Sequence, residues 1–117
     1  MARRLQVVVD ELADRLARSV AIDDPDLTPL LASRHFNDTD ELRLRSLVHR
    51  QHTAEVVQHF RDAGIGQLAA PTHIEGREDL GFSSRLCVPL RYRGELVGLL
   101  FLVDTAPIES VEMSIIC

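Results

Sequence analysis

The residues best suited to chemistry are five histidines (His35, His49, His52, His59, His73) and two cysteines (Cys87, Cys117). His49-Arg50-Gln51-His52, with His59 further on, could offer imidazoles to a metal ion. A helix break expected between His52 and Thr53 separates these rings, so they share no helical face and read as solvent-facing helix histidines, with no metal bound. The cysteines stand far apart with no CxxC pair, so neither a disulfide framework nor a thiolate zinc site is indicated. Only Arg85 stands near enough in sequence to activate Cys87, which therefore reads as a buried, inert thiol. GxSxG, HExxH, a Walker A loop and GxGxxG are all missing, so no catalytic residue is assigned and the chain is expected not to be an enzyme.

A ligand pocket, if formed, takes its walls from the apolar side of a helix over residues 53–64, the loop over 76–84 and one sheet face. Phe60, Ile74, Phe82, Leu86 and Phe101 are then its lining, and each is equally accounted for as core. With four Phe, one Tyr and no Trp, nothing supports a large stacked cofactor, and none is expected. Arg43, Arg45, Arg50 and Arg61 fall on two successive helices, the outline of a helix-turn-helix. Asp38, Asp40, Glu41, Glu55 and Asp62 interleave with them, as on a solvated face carrying local ion pairs.

The elements that must position these groups follow from periodicity. Over residues 3–18, Leu5, Val8, Val9, Leu12 and Leu16 fall on one face, which predicts an amphipathic helix. Ser19–Asp23 and Leu27–Ser33 flank Asp24-Pro25-Asp26, predicting a β-hairpin whose second strand Pro29 pushes to an edge or a bulge. Asn37–Asp40 caps a helix over Glu41–Arg50, and Thr53 caps a second one that Gly64 stops. Thr72–Glu75 is a short strand. Arg85–Tyr92 alternates as a half-buried strand, Arg93-Gly94 turns the chain, and Glu95–Val103 is nearly continuous in apolar residues, as a central strand should be. Pro107 opens a last helix, within which the chain is expected to end. The order helix, hairpin, two helices, strand, hairpin, helix predicts an α+β fold, with an antiparallel sheet of about five strands flanked by helices.

The 117 residues, 45% apolar and 26% charged, describe one domain over 1–117 with a single core and no need of a staple. All 13 basic residues are Arg, a bias typical of GC-rich bacterial genomes. The net charge of −5 weighs against non-specific binding to nucleic acid or anionic membranes. No signal-peptide core and no membrane-spanning run is present, so a cytoplasmic location is expected.

The run Cys87-Val-Pro-Leu-Arg-Tyr-Arg-Gly-Glu-Leu-Val-Gly-Leu-Leu-Phe-Leu-Val-Asp104 resembles the closing hairpin of GAF domains, where such a pattern forms adjacent central strands. Residues 12–27 followed by Ala32-Ser-Arg-His-Phe36 are similar to the N-terminal sensory region of PucR/CdaR-type bacterial transcriptional regulators. The resemblance implies a GAF/PAS-like, non-catalytic input or dimerisation domain. It responds to a small molecule or partner and reaches DNA only through a helical segment outside this chain. It also puts Arg34, His35 and Phe36 at the sheet rim near the pocket, although a strand-end loop with Phe36 plugging the core accounts for them too. Terminal helices pair between subunits in such sensors, so a homodimer through Leu5, Val8, Val9, Leu12 and Leu16 is expected. The same stripe would serve equally to cover the sheet. A ligand-free structural interaction module is the alternative.

Overall fold

The computed structural model describes residues 2–33, 51–81 and 83–103. They form an α+β fold in which a five-stranded antiparallel sheet carries one helix on each face. The elements are α1 (Ala2–Leu16), β1 (Val20–Asp23), β2 (Pro29–Ala32), α2 (Ala54–Asp62), β3 (Thr72–Ile74), β4 (Arg85–Tyr92) and β5 (Glu95–Val103), with strand order β2-β1-β5-β4-β3. The helix expected over Glu41–Arg50 and the last helix after Pro107 lie outside the described residues, as does Cys117. Among those residues no helix is long and apolar enough to cross a membrane.

β5 lies at the centre because its sequence can be buried on both sides. Leu99 and Phe101 point toward α2, while Leu100 and Leu102 point toward α1. β4 pairs with it from Arg85↔Val103 to Tyr92↔Glu95. The two-residue turn between them holds Arg93 at φ 52° and Gly94 at φ 84°, both left-handed, the geometry that matches the right-handed twist of paired strands. β4 departs from the expected half-buried strand, since Arg85, Leu86, Cys87 and Val88 are all buried. Its first half is covered on both faces because β5 and β3 flank it and a helix lies over each side. The predicted alternation survives only in which cluster each side chain joins.

β1 and β2 form the expected hairpin. Asp24 Oδ1 accepts from the backbone N–H groups of Asp26 (2.9 Å) and Thr28 (3.0 Å), an Asx-type reversal that leaves Leu27 at φ 66°. A left-handed leucine costs roughly 1–2 kcal/mol. Burial of Leu27 in the α2-side cluster offsets this, at roughly 1.5–3 kcal/mol for a full side chain. β2 is an edge strand, as Pro29 requires, and the register slips between Ile22 and Asp23 so that Leu30 is the unpaired residue. Ser33 closes the hairpin, its N–H donating to the Val20 carbonyl and its Oγ accepting from the Val20 N–H, both at 2.8 Å.

The core is double. On the α1 side, Val9, Ala13 and Leu16 pack on Val20, Leu86, Val88, Leu100 and Leu102. On the α2 side, Val56 and Phe60 pack with Leu27, Ile65, Ile74, Cys87, Leu99 and Phe101. Thr53 caps α2 through Oγ1, which accepts from the Val56 N–H, and Gly64 ends the segment at φ 76°.

Candidate functional site

The site builds on the α2 side of the sheet, where a buried polar pair borders the apolar cluster. Asp23 is the last residue of β1, opposite Leu99 of β5 in register. His52 immediately precedes the Thr53 cap, the position from which a side chain folds back under its helix. The two meet at 2.8 Å between His52 Nε2 and Asp23 Oδ2, with side chains only 8% and 3% exposed. An ionised carboxylate can only accept, so Nε2 carries the proton of this hydrogen bond. Nδ1 is the one buried side-chain nitrogen or oxygen among the described residues that has no hydrogen-bond partner.

One aromatic ring meets the pair and a second lies behind the first. The His52 imidazole meets Phe60 edge-on at 6.4 Å between centroids, and Phe60 lies 5.2 Å from Phe101. The Cys87 thiol is pushed up to about 12, first by burial and then by the negative charge of Asp23. It is held as a neutral thiol at any physiological pH. The surroundings are thus poor in water and biased against further negative charge. His59 stands outside this cluster core. Its Nε2–H donates to the Glu75 carbonyl at 3.0 Å and ties α2 to the end of β3.

Of the sequence-predicted lining, Phe60, Ile74 and Phe101 come together in this one cluster. Leu86 does not: it belongs to the cluster on the α1 face, because its neighbour Cys87 takes the inward position on the α2 side and successive strand residues point opposite ways. Arg34, His35, Phe36 and Phe82 lie outside the described residues. The reading of His52 as a solvent-facing helix histidine is corrected, since it precedes α2 rather than lying on it and is buried against β1. His49 lies outside the described residues, and among those described no group of three or more His, Cys, Asp or Glu is arranged around a metal position.

Sequence reasoning missed Asp23 and His52 for one reason. Asp23 stood in a run of turn-forming residues and His52 stood beside a helix cap, so each had a local explanation. The available signal was the position of His52 before the cap, which favours packing over exposure.

The opposite face offers a different feature. Val9 and Leu16 of the predicted dimer stripe are buried on the sheet, and Leu12 packs partly against the same cluster. Leu5 and Val8 remain 46% and 53% exposed. α1 therefore splits the stripe, covering the sheet with one part and presenting Leu5 and Val8 outward.

Compared with known proteins, the chain matches no family model and no curated protein.

Proposed function

We propose that this chain is a non-catalytic, GAF-like sensory and dimerisation domain of a PucR-type transcriptional regulator. In this reading it acts in the cytoplasm, relaying the binding of a small molecule or partner to a DNA-binding segment elsewhere in the regulator. The observation that carries the reading is the buried Asp23–His52 pair with a free imidazole nitrogen, set among Phe60, Phe101 and Cys87. A module that only packs and holds its shape gains nothing from an orphaned polar atom, which costs about 1–3 kcal/mol. A receptor face does gain from one.

Two further features support the assignment. The Val88-Pro89-Leu90 and Val97-Gly98-Leu99-Leu100 segments, which carry the GAF resemblance, lie on neighbouring strands with β5 at the centre of the sheet. The ligand face and the α1 face are on opposite sides of that shared strand, so a change around Phe101 is one residue from Leu100 and Leu102 under α1. That is a short physical route from a bound molecule to a subunit contact.

Light scattering tests the dimer half of the reading. Deleting α1 would strip Val9, Ala13 and Leu16 from the core and unfold the protein, so point changes serve better. The parent should be a dimer and Leu5→Glu/Val8→Glu a folded monomer with unchanged circular dichroism, because both positions are exposed. A monomeric parent removes the proposed relay.

A further inference from the structure

We propose that the free end of the β4–β5 hairpin, with Arg91, Tyr92, Arg93 and Val97, is a docking surface for an acidic segment of a partner protein, one carrying carboxylates beside apolar side chains. This surface is separate from the Asp23–His52 pair and from the exposed flank of α1, and it goes beyond the sensory reading.

The pairing of the sheet makes this end project. β3 pairs with β4 only over Arg85–Cys87, and β1 pairs with β5 only over Leu99–Leu102. From the Leu90↔Gly98 pair to the turn, the hairpin is therefore a ribbon with no third strand on either side. It is held in place all the same. The Arg91 guanidinium donates to the Gly94 carbonyl at 3.1 Å and, across to the segment after α2, to the Leu68 carbonyl at 3.0 Å. Val97 is the extra residue of a bulge between the Leu90↔Gly98 and Arg91↔Leu96 pairs, and bulges re-aim side chains.

In a chain of net charge −5, the groups on this ribbon are cationic and apolar. Neither Arg91 nor Arg93 has a carboxylate partner among the described residues: Arg91 bonds to carbonyls, and Arg93 lies over the Tyr92 ring, 5.4 Å from its centroid. Tyr92 is the only tyrosine of the chain and stands 64% exposed, with Val97 at 52%. Arginine and tyrosine carry much of the binding energy at protein interfaces, and here they are arranged before any partner arrives, so docking costs them little freedom. The guanidinium N–H groups not used on carbonyls match the geometry of a carboxylate. Exposed ion pairs alone contribute little, so Tyr92 and Val97 call for apolar side chains beside those carboxylates. A nucleic acid fits less well. Arg93 already covers a face of the one ring on which a base would stack, and the overall negative charge repels a dense polyanion.

The test titrates the full chain with a peptide of sequence EELEELEE, and with its counterpart QQLQQLQQ, at about 0.15 M salt, where long-range attraction is screened. With one tyrosine and no tryptophan in the chain, intrinsic fluorescence reports the surroundings of Tyr92 alone. The acidic peptide should bind with a Kd of about 0.1 mM or tighter and change that fluorescence, and the amide peptide should bind about tenfold more weakly. Arg93→Asp should weaken binding by about tenfold or more. It should keep the parent circular dichroism, because the position is exposed and Asp tolerates the left-handed φ of 52°. Leu5→Glu/Val8→Glu should bind the acidic peptide as the parent does, which separates this surface from the α1 contact. No binding of either peptide, equal affinity for both, an unmoved Tyr92 signal, or full binding by Arg93→Asp would each overturn the proposal. Tighter binding of an oligothymidylate at the same residues would overturn it too, by making the ribbon a nucleic-acid surface. A monomeric parent that binds the acidic peptide through Arg93 refutes the dimer relay alone.

Discussion

Breaking the Asp23–His52 pair from one side should destabilise the protein far more than removing it from both. In His52→Phe the ring volume is kept, but the carboxylate of Asp23 is left buried with no counterpart. An uncompensated buried charge costs about 3–5 kcal/mol. For a chain of 117 residues the unfolding entropy is about 0.25 kcal/mol per kelvin, so the melting temperature should fall by about 12–20 °C. Asp23→Leu leaves a neutral imidazole with both nitrogens unsatisfied and should cost about 1–3 kcal/mol. Asp23→Leu/His52→Phe removes both polar groups from surroundings that are already apolar and should return to within about 1 kcal/mol of the parent. Urea unfolding followed by circular dichroism, with calorimetry for the melting temperatures, measures all four corners of the cycle. Additive losses, with the double variant as unstable as both single changes combined, would refute the argument, because that result requires the two residues to be stabilised by separate partners. A His52→Phe variant as stable as the parent would refute it as well, by showing that Asp23 is not desolvated.

Three further outcomes follow from the local geometry. Cys87 has a thiol raised to about 12 from an ordinary 9.0, so the native state holds its proton where the unfolded chain has released it. That contribution to stability is complete below about pH 9 and is lost as the pH rises from 9 toward 12, a slope that Cys87→Ala should flatten in unfolding experiments at alkaline pH. Peptide-resolved alkylation at pH 8 should leave Cys87 unmodified in the folded protein and label it in urea; rapid native labelling would contradict its burial. Gly94→Ala should destabilise by about 1 kcal/mol although the added methyl meets nothing within 4 Å, because the cost is the left-handed φ of 84°. Melting curves check this, and an unchanged midpoint would mean that the turn relaxes.

Much of the fold was legible in the chain because it rests on local rules. The hairpin of β4 and β5 declared itself through one alternating run, one continuous apolar run and a turn that only residues tolerant of positive φ can make. Thr53 and Gly64 bracketed α2, and Pro29 marked the edge of the sheet. Of the candidate site, Phe60, Ile74 and Phe101 were readable as one wall, since large apolar residues on a helix and on sheet strands seek each other whatever the register.

The division of side chains between the two faces was not readable. Leu86 and Cys87 are adjacent and both apolar, so composition cannot say which looks toward α2. Only the pairing of β4 with β5, Leu86 opposite Leu102 and Cys87 opposite Phe101, decides it. The stripe on α1 met the same limit, because periodicity marks an apolar face without saying how wide a strip the sheet will cover, and Leu5 and Val8 fall beyond it. Asp23 and His52 show the reason most plainly. Each is polar, each has an ordinary place beside a turn or a cap, and nothing in the intervening stretch of sequence links them. The chain by itself determined a two-faced antiparallel sheet with apolar sides to cover. Tertiary structure alone brought a carboxylate and an imidazole to 2.8 Å within one of those sides, because a hydrogen bond between distant residues depends on how the backbone closes and not on the preferences of either residue.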